Sequence, residues 1–213
     1  TKGFMQWLHA VNTKIVIDVE WINDKDWEPA WEIIQNADII FVNDEGCEQL
    51  KKLVSEDYTK QLTRYGGLVV ETKGAKGCVI YTPEGEVYQI PAYKVEPIDT
   101  TGAGDTFNAS FVYGLSQGWD VQKAGKFANA AAGRAILGLG ARSGVVGEAA
   151  VVSAAGENPR TGTDLEVRLR NPQGVGNREL RQWFRFDAVY IVDDESEAVA
   201  HVDYRCRNAV ANL

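Results

Sequence analysis

Lysine is absent from residues 149–213 of this 213-residue chain, histidine occurs twice and cysteine three times. Each shortage excludes something. Cys47, Cys78 and Cys206 are odd in number and widely spaced, which makes neither a disulfide frame nor a CxxC metal clip; a reducing cytoplasm is the simplest home. His9 and His201 are too few and too separated for a histidine-built metal centre. No apolar run reaches the 18 or so residues of a membrane-spanning helix, and no basic, apolar and small-residue leader opens the chain. A net charge of −8 argues against tracking a nucleic-acid backbone, which needs an excess of Lys and Arg.

What remains is an ordinary globular composition, 45% apolar and 24% charged. Basic residues divide it in two. Residues 1–148 carry 11 Lys and 3 Arg, residues 149–213 carry 8 Arg and no Lys. About five lysines would be expected in the second segment at the frequency of the first. Small and turn-forming residues gather around Gly144, Gly147, 154–156 and 159–162, so a boundary is placed near residue 148.

The front segment alternates its hydrophobic period. Strands are expected at 14–20, 38–42 and 67–72, with a hairpin of 78–82 and 86–90 across 83–85. Helices are expected at 26–36, 45–54, 57–64, 106–116 and 121–137. Near-continuous apolar strands alternating with helices predict an α/β fold, a mostly parallel sheet covered by helices on both faces. Trp7, Trp21, Trp27 and Trp31 are assigned to core and edge packing rather than to stacking on a ligand.

The most informative stretch is 99–111, DTTGAGDTFNASF. Gly102-Ala103-Gly104 permits a tight turn with crowded amides, and a helix starts at Asp105-Thr106. Unpaired N–H groups at a helix start, with the positive end of its dipole, favour an anion such as phosphate. Asp105 at the same point could orient a hydroxyl and accept its proton during phosphoryl transfer. Alone, the same aspartate is more readily a simple helix cap.

The string 99–109 resembles the second signature of the ribokinase / phosphofructokinase-B carbohydrate kinase family. Thr72-Lys73-Gly74-Ala75-Lys76-Gly77 resembles that family's Thr-x-Gly-x-x-Gly nucleotide loop. Residues 127–132 and 140–142 resemble its adenine- and cation-lining helix and loop, and 37–40 with Asn43 resembles the strand leading to its Asn-x-x-Glu motif. The resemblance implies a three-layer ribokinase-like fold and transfer of the ATP γ-phosphoryl, with Mg2+, to a hydroxyl of a sugar or related small molecule. It implies Asp105 as base, with amides of Gly102, Ala103 and Gly104 as an anion hole. Thr72, Gly74, Gly77, Asn43 and Asn129 would serve the nucleotide, and Asp99 and Thr101 a potassium-like ion. A nucleoside kinase of the same superfamily, or an inactive nucleotide-binding fragment, are the alternatives.

Three departures from the family pattern follow, one being Lys73, which stands where an apolar residue is usual. The glutamate position of Asn-x-x-Glu holds Gly46, so Glu45 or Asp44 would have to serve magnesium from another direction. Residues 1–16 resemble the helix and strand just before that motif, so the resemblance implies that the N-terminal half is missing, with a homo-oligomer or pairing with that half as the assembly. The tail, 149–213, does not resemble the family; alternation at 164–170 and 186–192 leaves a small β-rich appendage or a sequence without an evolved fold. Its acidic run 193–195 reads as a solvated loop.

Overall fold

The computed structural model describes residues 2–20, 27–148 and 151–152. The appendage, the acidic run, Trp21, Cys206 and His201 lie outside the described residues. Helix α1 spans Lys2–Ala10 and leads into β1, Val16–Val19; α2 is Trp27–Ile34, β2 Ile39–Val42, α3 Asp44–Leu53 and α4 Tyr58–Arg64. Strand β3, Leu68–Thr72, is followed by a single 3-10 turn at Gly74–Lys76, then β4, Cys78–Tyr81, and β5, Val87–Ile90. Helices α5, Ala103–Ser116, and α6, Val121–Ala135, complete the unit.

The five strands form one sheet in the order β1-β2-β3-β4-β5. The first three run parallel, with Val16 opposite Ile39 and Ile39 opposite Leu68. Strands β4 and β5 turn back as the antiparallel hairpin, pairing Thr72 with Cys78 and Cys78 with Ile90. The mostly parallel reading and the hairpin are both correct.

Alternation along β2 explains the three layers, because successive side chains in a strand point to opposite faces. Ile40 and Val42 join Ile34, Cys47, Leu50, Tyr58 and Leu62 on the face covered by α2, α3 and α4. Ile39 and Phe41 join Phe107, Phe111, Leu115, Ala124 and Ala128 on the face covered by α5 and α6. Phe41 packs edge-on to Phe107 and Phe111, with centroids 6.3 and 5.7 Å away, and those two rings stack at 6.2 Å. This ring cluster clamps α5 to the middle of the sheet.

The front of the chain is pinned by Asp38. Its carboxylate accepts from Lys14 Nζ at 2.8 Å and from the Ile15 N–H at 2.8 Å, and lies 3.0 Å from His9 Nε2. Trp27 and Trp31 stack at 5.3 Å and pack on the first core, as expected. Trp7 instead is 56% exposed, stacked on Phe4. No helix among the described residues is long and apolar enough to cross a membrane.

Phe111 is fully buried against two rings. Phe111→Ala should therefore destabilise the unit by about 3–5 kcal/mol, the usual effect of emptying a packed aromatic site. Urea unfolding followed by tryptophan fluorescence measures it, and a loss under about 1 kcal/mol would mean that α5 is not clamped as described.

Candidate active site

In sheets of this kind, ligands gather at the carboxyl ends of the parallel strands. Those ends here are Asp18-Val19 on β1, Asn43 just after β2 and Thr72 closing β3. The candidate residues fall into three groupings around them.

The first is the turn before α5. Gly102 caps the helix with a left-handed φ of 75°, and a Cβ added there would lie 2.9 Å from that of Ala141, so the 140–142 loop rests directly on the turn. Asp99 ties the two segments. One carboxylate oxygen accepts from the Thr101 N–H at 2.9 Å and the Thr101 hydroxyl at 2.7 Å, and the other from the Gly140 N–H at 2.8 Å. The backbone joins in, since the Ile98 N–H donates to the Ile136 carbonyl at 2.8 Å. Hydrogen bonds from the Thr101 amide and hydroxyl and from the Gly140 amide hold the Asp99 carboxyl below its ordinary value.

The anion hole needs one correction. The Ala103 N–H is turned back onto the Thr100 carbonyl at 3.1 Å, and so is not a free donor. Gly102, Gly104 and Asp105 make no backbone hydrogen bond through their N–H groups among the described residues. Gly104 and Asp105 are exposed at the first turn of α5, where the helix dipole is positive. Asp105 points to solvent and not into the apolar interior. One turn on, Asn108 Nδ2 donates to Asp18 Oδ2 at 2.5 Å, joining α5 to the end of β1.

The second grouping surrounds Asn43. Its side chain caps α3, accepting from the Gly46 N–H at 2.8 Å, which uses the acceptor expected to serve a nucleotide. A Cβ on Gly46 would lie 2.2 Å from the Val19 carbonyl oxygen. The position expected to hold a glutamate is thus filled by the backbone of β1. Asp44 pairs with Lys73 at 3.4 Å, while Glu45 is exposed in the first turn of α3. No set of three His, Cys, Asp or Glu among the described residues could by itself hold a metal ion.

Behind Lys73 is a polar cluster that sequence reading missed. The Tyr58 hydroxyl bonds the Glu71 carboxylate and lies 3.2 Å from Cys47 Sγ; Lys73 Nζ is 3.1 Å from Glu71 Oε2 and 3.3 Å from Cys47 Sγ. Glu71 is only 6% exposed. Burial opposes the Lys73 charge, but the Glu71 carboxylate beside it holds the ammonium above its ordinary range. Burial likewise pushes up the Tyr58 hydroxyl and the Cys47 thiol. The signal was present as a glutamate inside the apolar strand GLVVET, a residue type that is buried only when paired.

The third grouping is the nucleotide-like loop. Thr72 is half-buried, with its hydroxyl 3.5 Å from the Val42 carbonyl, and Gly74 is exposed with φ 51°. The Lys73 N–H donates to the Gly77 carbonyl at 2.7 Å and closes the loop. Gly77 is buried, and a Cβ there would lie 2.0 Å from the Ile90 carbonyl oxygen. Asn129, also buried, donates to the same carbonyl at 3.2 Å and to that of Pro91 at 3.3 Å. Gly77 and Asn129 thus meet at one backbone carbonyl, and the Asn129 amide is committed inside the fold.

Comparison with known proteins agrees with this architecture. Residues 5–146 match the pfkB family of carbohydrate kinases. The chain belongs to that family. It is 41% identical over 87 residues to the ribokinase of Bacillus subtilis, covering 41% of this chain and 29% of that protein. The structure of a Methanocaldococcus jannaschii nucleoside kinase superposes with a TM-score of 0.58 at 27% identity, over 67% of this chain and 48% of that one. A Vibrio cholerae fructokinase double mutant with bound fructose, ADP and potassium ion superposes with a TM-score of 0.62 at 26% identity, over 72% and 54% of the two chains. The matched part of the chain spans between 29% and 54% of the length of these relatives.

The Asp99 bridge predicts a pH dependence. A carboxyl held below its usual 3.8 contributes stability that is full above that value and is lost as pH falls through the lower folded value. Asp99→Asn should lose stability at neutral pH and show a shallower further loss in strong acid. Urea midpoints of both proteins at neutral and strongly acidic pH measure this; parallel acid losses would contradict it.

Proposed function

We propose that this pfkB-family chain is the nucleotide-binding, catalytic portion of a kinase that transfers the γ-phosphoryl group of ATP to a hydroxyl of a sugar. The observation that carries the reading is the start of α5. Free N–H groups at Gly102, Gly104 and Asp105 stand at the positive end of a helix, with an exposed carboxylate at the same turn. In this proposal the amides take the charge on the phosphoryl oxygens, and Asp105 orients the acceptor hydroxyl and takes its proton as the O–P bond forms and ADP leaves. Half-buried Thr72 at the end of β3 and exposed Gly74 in the turn after it face the nucleotide. Gly77 and Asn129 shape that wall from behind, and Asn43 does so by capping α3.

Magnesium, carried on the ATP phosphates, would neutralise charge in the reaction; the ion commonly keeps most of its shell as water and phosphate oxygen. That suits a chain in which Gly46 removes one carboxylate, Glu71 beside the end of β2 is taken up by Tyr58 and Lys73, and Asp44 and Glu45 stand exposed just beyond it. Asp99 and Thr101, packed against the 136–140 backbone, are the residues proposed to border a potassium ion; the fructokinase relative was solved with one. The family match ends at residue 146, which supports a kinase unit closing near 148. Cys47 and Cys78 are free and buried, in keeping with a reducing, cytoplasmic setting.

A nucleoside acceptor is the second reading, favoured by the superposition on the nucleoside kinase. Transfer from ATP to ribose, fructose and adenosine, each offered separately, distinguishes the two. On whichever acceptor is used, Asp105→Asn should lower kcat by about 10²–10⁴, the general-base range. A loss under about fivefold would remove Asp105 from that role.

A further inference from the structure

Outside the residues already placed in the phosphoryl site, one contact joins parts of the chain that sequence keeps far apart. We propose that Asp18 is a positioning residue for Asp105, acting through Asn108. The inference rests on the reading of Asp105 given above. Asp18 and Val16 lie on the same face of β1, the face against which α5 packs. Val16 packs beside the ring cluster; Asp18 comes two residues later, at the carboxyl end of the strand. There its Oδ2 accepts from Asn108 Nδ2 at 2.5 Å, across 90 residues of sequence. A hydrogen bond to a charged oxygen is roughly twice as strong as a neutral one.

Asn108 follows Asp105 by three residues, so the two side chains emerge on one side of the first turns of α5. Holding Asn108 therefore braces the side of α5 from which Asp105 emerges. The other end of the amide is informative. Asn108 Oδ1 is buried and has no hydrogen-bond partner. A buried orphan acceptor is costly, and the contact to Asp18 is what holds the amide in that orientation.

The acidic groups facing Asp18 are Glu20, just past the end of its strand, and Asp105 on α5. Burial among neighbouring atoms, then the Glu20 and Asp105 charges, push the Asp18 carboxyl up to about 6, against the Asn108 hydrogen bond, although the side chain still reaches solvent. The strut is therefore strongest when Asp18 is ionised and weakens as pH falls through that value. A group of this kind makes the first turn of α5 respond to mild acid, whereas an uncharged strut would not.

The test uses the whole chain, labelled with ¹⁵N, titrated across pH 6. In the unsubstituted protein the Asn108 side-chain NH₂ signals and the backbone amides of Gly104, Asp105 and Thr106 should move together with a midpoint near 6. In Asp18→Asn, which keeps the shape of the contact, that shared midpoint should vanish while the rest of the spectrum stays folded. If the Asn108 signals do not titrate, or titrate unchanged in Asp18→Asn, the proposal is wrong. It is equally wrong if Asn108 responds and residues 104–106 do not. In transfer assays Asp18→Asn should lower kcat roughly tenfold with KM for ATP unchanged, and Asp18→Glu should recover part of it. Should Asp105→Asn leave transfer intact while the coupled titration persists, the base assignment falls and the strut stands.

Discussion

The Asp99 carboxylate holds the site together. It receives donors from its own turn at Thr101 and from the 140 loop at Gly140, so two segments 41 residues apart share one anion. That bridge braces the chain where it turns at Gly102 and begins α5, with the Gly102, Gly104 and Asp105 N–H groups left without a backbone partner among the described residues. Without it, the glycine-rich turn would have many accessible conformations, because glycine loses the most freedom on being fixed. The aromatic clamp of Phe41, Phe107 and Phe111 then sets the helix direction against the sheet. The amide cluster is the product of these two constraints.

The start of α3 is where this chain departs from the pattern it resembles, with Gly46 at the expected glutamate position. At Gly46 the carbonyl of Val19 lies where a side chain would start. Restoring a carboxylate there would require the end of β1 to move, and that end carries Asp18. Lys73, one residue beyond Thr72, is held by Glu71 and Asp44 and adds positive charge close to the same strand ends. In the proposed site the leading carboxylate is Asp105, on the helix that Asn108 joins to the end of β1.

Much of the fold is legible from local pattern. The five strands were readable from β-branched runs such as IVIDV and DIIFV, and the turn at 83–85 marked the hairpin. Alternation could not assign faces for β2, since IIFV is apolar throughout; only the sheet reveals that Ile39 and Phe41 meet α5 while Ile40 and Val42 meet α3. Site residues were readable as a turn and a helix start. Which amides stay free was not, because the Ala103 N–H is taken by a carbonyl three residues earlier through turn geometry. Asn129 and Gly77 read as nucleotide contacts; the structure adds that Asn129 donates to the Ile90 carbonyl and that Gly77 leaves no room for a side chain beside it, tertiary contacts that no local spacing encodes. The Asp18–Asn108 contact and the Gly46–Val19 approach belong to the same class.

The central claim is that the first turn of α5 is an anion site. Its most direct measurement is backbone amide chemical shift on adding ATP with magnesium to the ¹⁵N-labelled chain. The account predicts that Gly102, Gly104 and Asp105 show the largest, saturable displacements, with Ala103 moving less because its N–H is already bonded. Displacements that are absent at millimolar nucleotide, or that centre elsewhere on the chain, would contradict it.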